Sequence, residues 1–487
     1  MEPKEFLKNK KVLVVILGIY GGGAATAKWL FQNGAKVTVT DMRSEKELEE
    51  SMKLFTPKEK KGIRFVLGGQ REEDFSSHDI IVLGPGVPRE SPYLAVSKKA
   101  GKQIENDASL FFRFVKNPVV AVTGTRGKST TTSWIAHILS KKYGDFIPTG
   151  NNPKHAFLKE LSLLKDKNRP VVAEMSSWQL EYLPHSGSAP HIAVVTNLTP
   201  DHLNRYQGGM EDYAGAKANI FKDQTENDIL ILNADNEWTK FYLSKKPKAK
   251  LYYFSKKPLS KGKNGMFIKE GKMVFREGKK EKEILDVKKF SEAMGIHNLE
   301  NLLATVLSII LFDPKFPITK KIIETLPQIP FRQEIIVAKK GLMIVNDSAG
   351  TSPDATIAIL RRFPKPILIT GGTDKDLEFR ELAKEIKKTL TPANLILLNG
   401  SATKKLILEL KKIHFFKDKK ILLFETLEEC ADFAFQALPQ RKGIILFSPG
   451  SASFEKFKNE FFRGEKFAII VDKILKNATL NPRQKAV

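Results

Sequence analysis

Residues 119–132 read VVAVTGTRGKSTTT: an apolar, mostly β-branched run, a glycine-containing loop and the start of a helix. That order is what a phosphate-binding loop requires. Gly124 and Gly127 let backbone N–H groups turn toward an anion with no Cβ in the way. Lys128 has the reach for terminal phosphates, and the Ser129 or Thr130 hydroxyl can hold Mg²⁺. The following helix would direct its positive end at the same phosphates. The spacing is shorter than GxxxxGK[ST], which needs glycine where Val122 stands. A chance glycine turn beside an exposed lysine would not bring strand, glycines, lysine, hydroxyls and helix start into one register.

Working outward, the chain has 487 residues, too many for one ordinary core, so several domains are expected. With 41% hydrophobic and 28% charged residues it is globular. Eighty basic against 55 acidic residues give a net charge of +25, which suits anionic ligands. The lysines are spread along the chain in KK and KxK pairs, the pattern of a solvated surface. No nucleic-acid-binding motif accompanies the charge, so no nucleic-acid partner is expected. The single cysteine, Cys430, cannot form an internal disulfide, which favours a reducing, cytoplasmic setting.

The N-terminal segment has two readings. Basic residues 8–11, an apolar run and Ala25-Thr26-Ala27 have the features of a signal peptide. Against that, Gly21–Gly23 interrupt the run and a strand-like KVTVTD follows at Lys36–Asp41. Strand, glycine turn, helix and a strand ending in Asp make the first βαβ of a nucleotide-binding Rossmann unit, the reading preferred here. No other apolar stretch approaches a membrane span, so no membrane insertion is expected.

Strands and helices alternate in three blocks, which predicts an α/β protein with mainly parallel sheets. The first block, 1–112, has strands at Val12–Leu17, Lys36–Thr40 and Ile80–Leu83 and helices at Ala24–Asn33 and Glu45–Lys53. The glycine-rich loop from Gly84 to Pro88, with Gly86 at its centre, lies on the ligand side. The second block, 113–327, carries the phosphate loop and strands at Val171–Glu174 and Ile192–Asn197. Its lysine-rich stretch Lys240–Lys288, with short strands at Leu251–Phe254 and Met273–Phe275, reads as a peripheral hairpin region. The third block, 328–487, has strands at Leu342–Asn346, Pro366–Thr370, Asn394–Leu398, Ile421–Phe424 and Gly443–Phe447.

Candidate sites fall where strands end, because α/β sheets bind ligands outside the carboxyl ends of their strands. Glu174 closes one strand, where a carboxylate can bind a second Mg²⁺ or simply favour a helix start. Asp201-His202 lies beyond another, and His202 can ligate metal, touch phosphate or be structural. Lys217 sits on a predicted helix, where a surface lysine is the default. In the third block the stretches 346–351, 370–375 and 448–453 are small-residue loops after three strands. Together they suggest one ligand surface, with Lys375 and Ser453 placed to hold a carboxylate; ordinary turns are also rich in these residue types.

The ordered set TGTRGKST, EMSSWQLE, TNLTPDHLNRY, AKANIF, GIHNLEN, NDSAGTSPDAT, TGGTDK and SPGSASFEKFKNEFFRG resembles the Mur ligase family over nearly the whole chain. The first two motifs are shared with folylpolyglutamate synthetases. The ending SPGSAS…FKNEFFRG and the N-terminal glycine turn are most similar to the D-glutamate-adding branch. The resemblance implies three domains: an N-terminal Rossmann-like domain for a UDP-linked substrate, a central P-loop ATPase-type domain, and a C-terminal Rossmann-like domain that receives the amino acid. It also implies a reaction, the ligation of D-glutamate to UDP-N-acetylmuramoyl-L-alanine through an acyl phosphate and a tetrahedral intermediate. That is a step of peptidoglycan precursor synthesis in the cytoplasm, here by an expected monomer.

By the same resemblance, Gly124, Thr125, Arg126, Gly127, Lys128, Ser129 and Thr130 would cradle the ATP phosphates. His297, Asn298, Asn301, Arg332 and Asp347 would complete the nucleotide site. Two Mg²⁺ ions would be held by Ser129, Glu174, His202 and a carbamylated Lys217, and Lys128, Glu174, His202 and Lys217 would be catalytic. Ile19, Tyr20, Gly21, Asp41, Met42, Arg43, Gly86, Asn151, Ser176 and Ser177 would bind the UDP substrate. Thr351, Lys375, Ser453 and Phe454 would receive D-glutamate.

Three positions depart from the family pattern. Ile16 replaces the first glycine of the N-terminal turn, so the motif is no dinucleotide fingerprint. Ala349 stands where many relatives carry lysine, and Thr373 where some have Asp. These leave the reaction class intact and bear on the choice of amino acid. The alternatives are a Mur-type ligase for a different amino acid, a non-catalytic paralogue and a nucleic-acid ATPase. Lys128, Glu174, His202 and Lys217 together speak against the paralogue, and the missing nucleic-acid motifs against the ATPase.

Overall fold

The computed structural model describes residues 2–480 apart from 20, 145–147, 151–154, 165, 202–204, 295 and 418; the side chains of 185, 291–293, 296, 297 and 478–480 are likewise outside the description. It is a mixed α/β structure with three sheets. The first contains β1 (Lys11–Val15), β2 (Lys36–Asp41), β3 (Arg64–Leu67), β4 (Ile80–Leu83) and β5 (Gln103–Asn106), all parallel, in the order β3-β2-β1-β4-β5. The order reverses between β1 and β4, which opens a crevice at the strand ends between their loops. β1 stops at Val15, two residues short of the expected end, because Ile16 turns the chain at φ 77°. The expected helix over 45–53 shrinks to the single turn Glu49–Met52.

The second sheet holds β6 (Val119–Thr123), β7 (Thr149–Gly150), β8 (Val171–Glu174), β9 (Ile192–Val195), β10 (Ile229–Asn233), β11 (Lys250–Ser255), β12 (Gly265–Lys269), β13 (Lys272–Glu277) and β14 (Lys280–Asp286). Its order is β14-β13-β12-β11-β10-β9-β6-β8-β7. β6, buried at every position, lies between β8 and β9, so the phosphate loop is flanked by the loops that follow both. The lysine-rich stretch is only in part the expected hairpin region. β11 pairs parallel with β10 and β12 parallel with β11, and only β13 and β14 add antiparallel pairs. Tyr252, Tyr253 and Phe254 are buried on β11, and that apolar content carries the sheet through lysine-rich sequence.

Residues 2–327 form one compact unit and 328–480 another. Within the first unit, one apolar core takes side chains from both sheets: Val12, Phe111 and Phe112 join Ala121, Phe157 and Leu230. Phe157 packs on Phe111 with ring centroids 4.8 Å apart. The second unit has the sheet of β15 (Glu334–Lys339), β16 (Leu342–Asn346), β17 (Ile367–Thr370), β18 (Leu395–Leu398), β19 (Leu422–Phe424) and β20 (Gly443–Phe447), in the order β15-β16-β20-β17-β18-β19. All its pairings are parallel except the edge strand β15. Apolar clusters cover both of its faces. Among the described residues no helix is long and apolar enough to cross a membrane.

Candidate functional site

The phosphate loop leaves β6 at Gly124, whose φ of 145° suits only glycine; a Cβ there would overlap the Thr196 hydroxyl. The Thr125 amide donates to the Asn197 carbonyl at 2.9 Å and the Arg126 amide to Asn197 Oδ1 at 2.9 Å. Thr196 Oγ1 donates to the Arg126 carbonyl at 2.6 Å. The end of β9 thus braces the loop. Gly127, at φ 83°, caps the helix Lys128–Tyr143, and a Cβ on it would overlap Asn301 Oδ1. Asn301 in turn bonds Asn298 at 3.0 Å, so both asparagines stand at the loop. Ser129 and Thr130 occupy the first turn of that helix, and Lys128 Nζ donates to the carbonyls of Gly124 (3.1 Å) and Thr125 (3.0 Å).

Lys217 lies beneath this loop on the helix Gly209–Ala218, 1% exposed. Its Nζ donates to the Gly124 carbonyl at 2.9 Å and sits 4.6 Å from the centre of the Tyr213 ring. Burial pushes its pKa well below the ordinary lysine value, and the Lys128 ammonium adds to that; Asp201 and Glu174 act against it. Glu174 closes β8 in a buried position. Glu174, Asp201 and the Ser129 hydroxyl offer hard oxygen donors, and Mg²⁺ beside phosphate and water needs only one or two carboxylates. The donor chemistry therefore fits that ion, although no three His, Cys, Asp or Glu side chains among the described residues gather to hold a metal alone. Asp201, Asn197, Thr196 and Tyr213 are absent from the sequence-derived site. Tyr213 stands four residues before Lys217, a one-turn helical spacing that signals a shared face.

The Ser176 hydroxyl is engaged in a capping box with Gln179 that starts the helix Ser177–Leu180. In the first sheet, Asp41 accepts the Gly18 amide at 3.0 Å and the Arg43 amide at 3.0 Å, which ties the turn after β1 to that after β2. Gly21, at φ 86°, caps the helix Gly22–Gln32, and Ile19 and Met42 are exposed at the crevice. Gly86 approaches the same turn: a Cβ on it would lie 3.2 Å from Ile16 Cδ1. Ile16 keeps a left-handed backbone without glycine, at about 1–2 kcal/mol for a residue with a Cβ. Tyr20, Asn151, His202 and the His297 side chain lie outside the described residues.

In the second unit, β16, β20 and β17 are neighbours, so the three small-residue loops adjoin. Asp347 accepts the Ser448 hydroxyl at 2.7 Å and the Gln333 amide at 3.0 Å. Arg332, flanked by Phe331 and Gln333 at positive φ, is exposed and directly precedes the Gln333 whose amide Asp347 accepts. Thr373 bridges Ala452 through the backbone, and its hydroxyl accepts the Glu455 amide at 2.9 Å. Ser453 Oγ is buried and has no hydrogen-bond partner among the described residues. Beside it in the chain Phe454 is exposed, as is Lys375; Thr351 is half-buried. Arg463 was not singled out from sequence. Fully buried, it donates to Ser348, Ser451 and Ala452 and so clamps two of the three loops.

A braced phosphate loop over a buried lysine, at the end of a buried parallel strand, defines a class of nucleotide-dependent enzyme. Residues 122–309 match the Mur ligase middle domain and residues 10–106 the Mur ligase MurD-like N-terminal domain. The chain belongs to the Mur ligase family. It is 35% identical to the UDP-N-acetylmuramoylalanine–D-glutamate ligase of Roseiflexus sp. (strain RS-1), over 96% of this chain and 99% of that protein. The ligase of the same name from Borreliella burgdorferi (strain B31) is also 35% identical, over 96% and 99%. Among solved structures, the fold is shared with UDP-N-acetylmuramate-alanine ligase MurC from Thermotoga maritima (TM-score 0.56, 20% identity, 96% of this chain and 100% of that one). It is shared equally with MurF ligase from Thermotoga maritima in complex with ADP (TM-score 0.56, 17% identity, 97% of each).

Proposed function

We propose that this chain joins D-glutamate to UDP-N-acetylmuramoyl-L-alanine at the expense of ATP, in the assembly of peptidoglycan precursors. The observation that carries this reading is 35% identity, over almost the full length of both chains, to ligases named for that reaction. Mur ligases use ATP and Mg²⁺, and the braced loop with its Lys128 and the oxygen donors around it suit both. The lone buried Cys430 agrees with a cytoplasmic setting.

The chemistry divides into two transfers. A carboxylate oxygen of the lactoyl-alanine group attacks the γ-phosphorus; the bond to the β-phosphate oxygen breaks and ADP departs. The D-glutamate amine then adds to the acyl carbon, the tetrahedral intermediate expels phosphate, and the nitrogen loses its proton. Both transfers spread negative charge, and fixed positive groups that need no reorganisation lower such barriers most. Lys128 and the Gly127–Ser129 amides supply them. Bound Mg²⁺ would neutralise phosphate charge beside Glu174, His202 and Ser129. Burial beside Lys128 favours the neutral Lys217 amine, the form that adds CO₂, and a carbamate there would serve as a further oxygen ligand, with two ions in all. Asn298, Asn301, Arg332 and Asp347 would hold the nucleotide. Ile19, Gly21, Asp41, Met42, Arg43, Gly86, Asn151, Ser176 and Ser177 would hold the UDP substrate. Ser453, whose hydroxyl has no partner among the described residues, would receive D-glutamate with Lys375, Thr351 and Phe454. The division into domains at 1–112, 113–327 and 328–487 is part of this reading, and the presence of three separate sheets supports it.

The test is phosphate release by the full chain with ATP, UDP-N-acetylmuramoyl-L-alanine and a panel of amino acids. Release that requires the UDP substrate and is fastest with D-glutamate is the expected result. A different preferred amino acid, or release that ignores the UDP substrate, refutes the assignment.

A further inference from the structure

One carboxylate in the first unit binds donors from two separate segments. Glu181 caps the helix that follows β8, and its side chain is 6% exposed. Arg205, on the loop after β9, binds it through both ends of the guanidinium: Nε donates to Oε1 at 3.2 Å and Nη2 to Oε2 at 3.1 Å. The Tyr206 hydroxyl donates to Oε1 at 2.8 Å. Arg89, on the loop after β4 of the first sheet, reaches Oε2 at 3.5 Å. A carboxylate has about four lone-pair sites, and this one is committed on both oxygens.

The donors extend the tie in both directions. Arg205 Nη1 donates to the Val87 carbonyl at 3.2 Å, so it also grips the first-sheet loop. Arg89 Nη1 donates to Asp212 at 2.7 Å, on the helix that carries Lys217. The Arg89 guanidinium lies over the Tyr206 ring at 5.3 Å, Tyr206 packs on Tyr213 at 5.2 Å, and the Lys217 amine faces Tyr213. The substrate-side loop of the first sheet is thereby fixed to the two loops that flank the phosphate loop.

We propose that Glu181 is a positioning residue: through Arg205, Tyr206 and Arg89 it sets the distance between the loop that carries Gly86 and the centre at Lys128 and Lys217. The inference rests on the ligase reading above. A substrate held at its UDP end by one sheet must present its carboxylate to a phosphate held by the other. A misplacement of about 1 Å there costs about 100-fold in rate. Hydrogen-bonded guanidinium–carboxylate pairs hold such a distance through geometry as well as charge.

Steady-state kinetics of the full chain tests this. Arg89→Ala removes the ties of the first-sheet loop to Glu181 and Asp212, leaves only the Arg205–Val87 bond across the sheets, and strands no buried charge, because Asp212 is 32% exposed and Glu181 keeps Arg205. The expected result is a loss of about 10- to 100-fold in kcat/KM for UDP-N-acetylmuramoyl-L-alanine, with the KM for ATP and Tm unmoved. Asp212→Ala added to Arg89→Ala should cause no further loss. Glu181→Gln should fall below Arg89→Ala in kcat; if that variant does not fold, Arg89→Ala and the double variant decide. Wild-type kcat/KM in Arg89→Ala overturns the proposal, and so does a matching rise in the KM for ATP, which marks general loosening. A wild-type chain inactive with D-glutamate takes the ligase reading down as well, whereas an active wild type with an indifferent Arg89→Ala refutes the positioning role alone.

Discussion

For a lysine at 1% exposure beside a second ammonium, the desolvation cost of its charge pushes the pKa well below the ordinary value and so favours the neutral form. The neutral form is the one that adds CO₂, so Lys217→Ala should lower ligation by about 1,000-fold. If the proposed carbamate forms, added acetate or formate should restore part of the rate by filling its space, and ligation by the unrescued variant at the wild-type rate would discard the carbamate. Gly124 is constrained by sterics alone. Gly124→Ala must displace Thr196 or the Asn197 backbone and adopt a φ foreign to alanine. It should cost about 1–3 kcal/mol of stability together with nucleotide affinity, read by chemical denaturation and ATP titration. A fully stable variant with wild-type affinity would mean that the loop can move.

Between elements, His78 joins the helix Glu72–Ser77 to β2. Its Nδ1 lies 2.6 Å from the Asp74 carbonyl, which makes it the donor, and Nε2 lies 2.9 Å from the Thr38 hydroxyl, which it can accept. Burial lowers its pKa from the ordinary 6.5. The unfolded chain therefore takes up the proton at higher pH than the folded one. The stabilising contribution is complete above about pH 6.5 and is lost as pH falls through the depressed folded value. His78→Gln should flatten that part of a stability-against-pH curve; an unchanged slope would assign it to other groups. Legibility varied with the kind of signal. β6 and its loop could be read because periodicity, glycines and lysine coincide within a dozen residues. The three loops of the last block could be read as one surface because each follows an apolar strand. Ile16 misled at the level of the backbone: a left-handed turn without glycine has no local signature. The stretch Lys240–Lys288 reads as a peripheral hairpin region with strands at Leu251–Phe254 and Met273–Phe275, and the parallel strand β12 between them is not legible because its short apolar run lies among lysines and glycines. Glu181, Asn197 and Arg463 act on partners distant in the chain, and no local pattern announces such pairings.

At the scale of the molecule, the sheets differ in how far their apolar clusters are their own. The clusters on the two faces of the third sheet draw only on residues beyond 328. Residues 328–487 expressed alone should therefore unfold cooperatively, as followed by circular dichroism on heating. The first sheet is different, because Phe111, Phe112 and Phe114 belong to a core completed by Phe157 and Leu230. Residues 1–112 alone should lack a sharp thermal transition, and a cooperative one would show that the first sheet is self-sufficient. The Phe111–Phe157 contact also sets a schedule for synthesis. The five strands of the first sheet leave the ribosome before Phe157 does, and until then Phe111 and Phe112 lack the ring that packs on them. Nascent chains stalled just after residue 112 should be bound by hydrophobic-segment chaperones and released once the segment through β8 has emerged.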